Sequence, residues 1–136
     1  MSHFKKLHLK IAEKDGKTYS IAELHEFIDF PVKRLYFIQG SVDPTGQHCH
    51  KEEKEFFIMA KGSAVAVIDQ GNGKEDVHLQ APGDAIYVSN YVWHGFKSFS
   101  EDAIVLAVSS TNYRPDRSDY IEDYDEYLVL RDEHLR

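Results

Sequence analysis

A single cysteine, Cys49, stands among 136 residues, so no disulfide can close within the chain and a metal cage built of cysteine alone is excluded. Basic residues are outnumbered, 16 Lys+Arg against 23 Asp+Glu, for a formal charge of −7 with histidine neutral. A general binder of nucleic acid or of an anionic membrane needs a basic surface, and this composition does not supply one. One phosphate-bearing ligand held by one or two arginines is still compatible with it. Apolar runs last a few residues, far short of the ~20 that cross a bilayer. The start, Met1-Ser2-His3-Phe4-Lys5-Lys6, leads into alternating residues and not into an apolar signal core. The expected location is the cytoplasm, which suits a reduced cysteine. Low-complexity tracts, linkers and repeats of domain-building length are missing as well.

The chain does carry a globular composition, 42% hydrophobic and 29% charged, at a length that suits one compact domain over residues 1–136. Short runs of β-favouring residues recur between Gly, Pro and Asn. They predict strands over 4–11, 18–24, 32–38, 55–60, 63–69, 75–79, 85–88, 94–99 and 103–109. Asp15-Gly16, Lys61-Gly62 and Gln70-Gly71-Asn72-Gly73 read as turns. This spacing predicts an all-β sandwich or barrel over about 4–112. A short helix is expected over about 116–130, capped by Asp116 or Ser118, with Tyr120, Tyr124, Tyr127 and Leu128 on one packing face.

Chemistry concentrates in Gly46-Gln47-His48-Cys49-His50-Lys51-Glu52-Glu53-Lys54-Glu55. Histidines at i and i+2 of a strand project from the same face, and Cys49 between them faces away as a small filler. The order His-x-His, Glu55, Gly62, then Pro82-Gly83-Asp84 and His94 matches the cupin pattern, a small double-stranded β-helix or jelly roll. The first cupin motif is complete. In the second, Ser89 and Tyr91 stand where a proline and a glycine usually precede the histidine. Three uses of the site follow from the residues. His48, His50, Glu55 and His94 suit a divalent transition metal such as Zn, Fe, Mn, Ni or Cu with open positions. His48 and His50 suit metal-free acid–base work, since imidazole titrates near working pH. Both also suit plain polar lining of a cavity.

The sequence resembles the dTDP-4-oxo-6-deoxyhexose 3,4-ketoisomerases, the FdtA/QdtA or WxcM-like group of cupins, from about residue 7 to 127. The resemblance is carried by Pro31-Val32-Lys33-Arg34-Leu35-Tyr36, Gly46-Gln47-His48-Cys49-His50-Lys51, Val92-Trp93-His94, Phe99-Ser100 and Asp119-Tyr120-Ile121-Glu122-Asp123-Tyr124-Asp125. It implies a cytoplasmic jelly-roll homodimer that binds a thymidine-diphospho-sugar, needs no cofactor and moves the sugar carbonyl from C4 to C3. That step precedes amination in deoxysugar biosynthesis for lipopolysaccharide O-antigen. It also implies that His48 and His50 transfer protons and that Arg34 and Tyr36 line the same cavity; Tyr36 is a catalytic candidate, and Arg34, Trp93, His94 and Thr45 are candidate substrate contacts. Arg34 is a candidate for the diphosphate, as a planar two-pronged donor, and Trp93 for stacking on base or sugar. Two departures stand out. Thr45 occupies the place of an arginine that the family usually has before the glycine of its Gly-x-His-Ala-His run. Glu55 occupies the cupin metal-carboxylate position, which family members lack. The alternatives are therefore a metal-dependent cupin oxygenase or epimerase and a non-catalytic sugar or nucleotide sensor.

Overall fold

Each alternating run finds an antiparallel partner in the computed structural model, which describes residues 3–134. In chain order the elements are β1 Phe4–His8, β2 Lys10–Lys14, β3 Lys17–Ile21, α1 Leu24–Phe27, β4 Arg34–Gln39, β5 Cys49–His50, β6 Glu55–Lys61, β7 Ser63–Asp69, β8 Lys74–Gln80, β9 Asp84–Val88, β10 Trp93–Lys97, β11 Ile104–Ser109, β12 Tyr120–Ile121 and α2 Tyr124–His134. A five-stranded sheet runs β1-β9-β6-β11-β4 and a three-stranded sheet runs β10-β7-β8. The fold is the expected all-β cupin jelly roll with a C-terminal helix. Among the described residues no helix is long and apolar enough to cross a membrane.

The main core lies between the two sheets, where Phe57, Met59, Ala66, Ile68, Ile86, Phe96 and Val105 meet. A second cluster on the other face of the five-stranded sheet joins Phe56, Tyr87 and Val108 to Leu9 and Ile28. Burial on both faces is why β6 reads as an unbroken apolar run, not an alternating one. The cupin-motif Gly62 sits in the tight β6–β7 turn at φ +70°, where a Cβ would fall 2.2 Å from Ser100 Oγ, so only glycine fits there.

Two expected elements are corrected. The run over 4–11 is two strands. Leu9 turns inward, 3% exposed, and its N–H donates to Gly83 O, so the chain leaves β9 and enters a hairpin of β2 with β3. That hairpin turns on Asp15 and Gly16, both at positive φ, as the Asp-Gly pair predicts. The helix expected from 116 begins only at Tyr124. Asp116 Oδ1 accepts the Ser118 N–H in a local turn, and the true cap is Asp123, whose Oδ1 accepts the N–H groups of Asp125 and Glu126. Between them, Tyr120 and Ile121 are extended and pair with His50 and Cys49. Tyr120 therefore leaves the helical face assigned to it. The short strand β5 needed a backbone partner, and this segment supplies it.

Candidate active site

His48 is bridged to His94 by two backbone hydrogen bonds, and β5 continues beside β12. Alternation along this edge sends His48 and His50 into the barrel mouth together. Cys49 points the other way, fully buried with Trp93, Ile121 and Tyr127. The two imidazoles meet at Nε2···Nε2 3.1 Å, with ring centroids 4.7 Å apart, and His94 stands 4.7 Å from His48. Glu55 Oε1 lies 3.2 Å from His50 Nε2 and 3.4 Å from His94 Nε2, while its Oε2 accepts the Tyr36 hydroxyl. His94 is oriented from behind by the Val92 carbonyl on its Nδ1.

His50 is enclosed by acid. Its Nδ1 is 3.3 Å from Asp119 Oδ2 and 3.7 Å from Glu53 Oε1. Asp119 is locked in turn by the N–H groups of Glu52 and Glu53, at 2.6 and 3.1 Å. Glu53 accepts from Arg34 Nη2 at 2.9 Å and from Ser109 Oγ at 2.7 Å. Burial alone would discharge His50, but Asp119, Glu55 and Glu53 outweigh it and raise its pKa to about 9. For His48, burial followed by repulsion from the His94 and His50 rings lowers the pKa to about 3. Burial would raise Glu55, yet its contacts with His50 and His94 hold it well below the ordinary carboxylate range. Burial, then the Glu55 charge, pushes the Tyr36 hydroxyl far above its usual value, so it stays protonated. Near neutral pH the pair is thus one neutral imidazole beside one imidazolium.

A cavity of about 270 Å³ opens on this group, walled by Tyr36, Thr45, His48, His94, Arg117 and Tyr120, with Phe57 and Phe96 at its apolar end. Arg34 and Tyr113 border a second hollow that shares Tyr36, His48 and Tyr120, so the two form one extended cleft. His48 is part of the wall. His50 is not: at 2% exposure it lies one contact behind His48. Thr45 lines the cavity and accepts the Phe96 N–H on Oγ1, pinning the entry loop to β10. Arg34 spreads over the Tyr36 ring, 5.3 Å from its centroid.

Trp93 is corrected: it does not reach the cavity. It precedes the inward His94 on β10, so strand alternation turns it outward against Tyr124 and Tyr127 of α2, with Nε1 donating to Gln47. Asp119, Tyr120, Glu53 and Arg117 are residues that sequence reasoning did not place at the site. The Tyr120 ring packs 4.5 Å from His50 and 5.0 Å from His48. For Asp119 and Tyr120 the available signal was the Asp-Tyr-Ile motif itself, which the helical reading of the tail obscured.

The ligand atoms of His48, His50, Glu55 and His94 all lie within 4.8 Å of one another. Glu55 Oε1 and His94 Nε2 are buried with no hydrogen-bond partner. Three imidazoles and a carboxylate with unspent lone pairs fit a divalent transition metal.

The family model FdtA, described as WxcM-like, C-terminal, matches residues 2–132. The TDP-4-oxo-6-deoxy-alpha-D-glucose-3,4-oxoisomerase of Aneurinibacillus thermoaerophilus is 32% identical over 120 residues, covering 87% of this chain and 84% of that protein. A crystal structure of a 3,4-ketoisomerase from Helicobacter canadensis superposes with a TM-score of 0.84 at 28% identity, over 97% of this chain and 99% of that one. QdtA, a sugar 3,4-ketoisomerase from Thermoanaerobacterium thermosaccharolyticum solved in complex with TDP, shares the fold with a TM-score of 0.87 at 24% identity, over 98% of each chain.

Proposed function

This chain belongs to the WxcM-like family, and from that premise we propose that it is a sugar-nucleotide 3,4-ketoisomerase, converting a dTDP-4-keto-6-deoxyhexose to its 3-keto isomer. The observation that carries the reading is the placement of His48 on a cavity wall with His50 3.1 Å behind it, where burial lowers the pKa of the first and acidic neighbours raise that of the second. His48 takes hydrogen from C3 as a proton. The C–H electrons form a C3–C4 double bond, and the C4 carbonyl becomes an enolate oxygen that takes a proton to give the enediol. Loss of the O3 proton and return of one to C4 leave the ketone at C3, so atoms and electrons balance without an outside reagent. The Tyr36 hydroxyl, kept protonated and bonded to Glu55, turns from that carboxylate to give its proton to O4 and takes one back from O3, while His48 returns the C3 proton to C4 and His50 keeps its charge behind it. His94 and Thr45 bound the sugar pocket and Arg34 the adjoining hollow. The product then enters amination, in deoxysugar biosynthesis for O-antigen in the cytoplasm. Feeding dTDP-4-oxo-6-deoxyglucose in D₂O tests this. The 3-keto isomer with deuterium at C3 or C4 is the expected result, whereas TDP binding with no exchange identifies a silent sensor.

A homodimer is part of this proposal. β4 ends the five-stranded sheet, and its outward Leu35 and Phe37 are 58% and 61% exposed, which is unusual for large apolar side chains on a sheet edge. Leu35→Glu with Phe37→Glu is expected to halve the mass measured by light scattering behind gel filtration. An unchanged mass places the dimer contact elsewhere.

A second reading is supported by Glu55 Oε1 and His94 Nε2, which touch at 3.4 Å without a hydrogen bond: His48, His50, Glu55 and His94 hold a divalent transition metal, for oxygenase or epimerase chemistry. Elemental analysis of protein purified without chelator separates the readings. Stoichiometric metal that disappears in His94→Ala favours the metal enzyme, and its absence favours free imidazoles.

A further inference from the structure

A nucleoside-diphosphate sugar is an anion, and this protein carries a formal charge of −7, so long-range electrostatics oppose their encounter. The cleft must hold a cation where the diphosphate passes. Three arginines stand near it. Arg34 is committed to Glu53, a carboxylate only 4% exposed that would be left buried without its cation if Arg34 turned to a ligand. Arg114 is paired with the exposed Glu52 and is not part of the cavity wall. Arg117 is on that wall, beside Tyr120 and facing the same space as Thr45 and His48.

Its setting is built, not incidental. The guanidinium carbon lies over the Tyr120 ring, 4.0 Å from its centroid, and that ring in turn packs against both imidazoles. Glu122 accepts from Nε and Nη2 on one oxygen, gripping one edge of the guanidinium plane and fixing its orientation. Two consecutive turns place it: Arg117 N–H donates to Arg114 O, and Tyr120 N–H donates to Arg117 O. Arg117 itself sits at φ +56°, a left-handed backbone that asparagine or glycine would take more readily. Half of the side chain stays open to solvent, at 48% exposure, so a ligand can reach it.

We propose that Arg117, laid over Tyr120 and braced by Glu122, is the group that binds the diphosphate of the substrate and thereby sets the sugar ring against His48. This rests on the ketoisomerase reading. A guanidinium suits the task because it offers planar paired donors to phosphate oxygens and remains charged at every working pH. Its contacts are to a part of the substrate that does not change in the reaction, so they bind ground state and transition state alike.

The test is calorimetric binding of TDP and of thymidine, with steady-state kinetics, on the wild-type chain, Arg117→Ala and Arg117→Gln. Both variants are expected to weaken TDP binding and raise KM by about 10–100-fold, the range for one charge-assisted contact, with kcat within about threefold of wild type. Thymidine, which lacks the phosphates, is expected to bind all three proteins equally. TDP affinity unchanged in both variants overturns the proposal. So does a parallel loss for thymidine, which would mean that Arg117 only supports the Tyr120 ring. A wild-type chain that neither binds TDP nor isomerises the keto-sugar rejects the ketoisomerase reading together with this one, so the two failures are distinguishable.

Discussion

His48→Asn is expected to lower kcat for ketoisomerisation by about 10²–10⁴-fold, the usual worth of a positioned acid–base group, with the protein still folded. Asparagine is close in size, and the backbone bridge between residues 48 and 94 does not depend on the side chain. The ring is half-buried at the cavity wall, so its removal opens space that water already reaches. Circular dichroism and thermal unfolding should match wild type within a few degrees, and TDP affinity should be retained. His50→Asn is expected to lose turnover just as deeply but for a different reason, and to be less stable. That ring is 2% exposed and is the cation among Asp119, Glu53 and Glu55, so deleting it leaves buried carboxylates facing one another. Breaking a buried charge cluster from one side costs about 3–5 kcal/mol. A lower melting temperature for His50→Asn than for His48→Asn is therefore the signature of the arrangement. Full turnover in both variants would reject the acid–base assignment outright.

Asp119→Asn carries the second large effect, on pH dependence. The His50 pKa is raised to about 9 because acidic neighbours, Asp119 foremost, outweigh burial. In the proposed mechanism His50 acts protonated, so kcat/KM of the wild type is expected to fall as pH rises through about 9. Replacing the carboxylate by an amide removes one opposite charge about 3.3 Å from Nδ1, and the alkaline limb should move down by about 1–3 pH units. The same sign holds for stability. A histidine whose folded pKa lies above its unfolded value of about 6.5 contributes stability that is complete below that pH and is lost as pH rises through about 9. Asp119→Asn should therefore flatten the decline of melting temperature over that interval. The asparagine side-chain oxygen can still accept one of the N–H groups of Glu52 and Glu53, so the segment stays anchored. An alkaline limb that does not move would mean that Asp119 holds backbone in place and leaves the His50 charge to Glu55 and Glu53.

The strands were legible because their signal is local. β7 covers 63–69, as its turn-bounded run predicts, and β6 begins at Glu55 as expected. The Asp-Gly pair marked the first hairpin, since both of its residues must take positive φ. The tail was misread where two local signals competed. Asp116 and Ser118 look like helix caps and the tyrosines recur at helical spacing, but Tyr120 is pulled into a strand by the unpaired backbone of β5. Asp119 was invisible as a partner of His50 for the same reason: its hydrogen bonds reach back 67 and 66 residues, to Glu52 and Glu53. Trp93 was a candidate for stacking on base or sugar, but it precedes the inward His94 on β10, and neighbours on a strand face opposite sides.

Sequence alone determined that two imidazoles project from one side of a strand, with a carboxylate and a third histidine to meet them, inside an all-β cup. Period-two alternation and the burial of apolar faces are properties of the chain order, and they leave little freedom. Tertiary structure alone decided which imidazole lines the cavity, which one has its pKa raised by acidic neighbours, and which arginine stands on the cavity wall. Those outcomes depend on burial and on distances of about 3–5 Å between groups far apart in the chain, and electrostatic energy varies with separation and dielectric, not with sequence spacing.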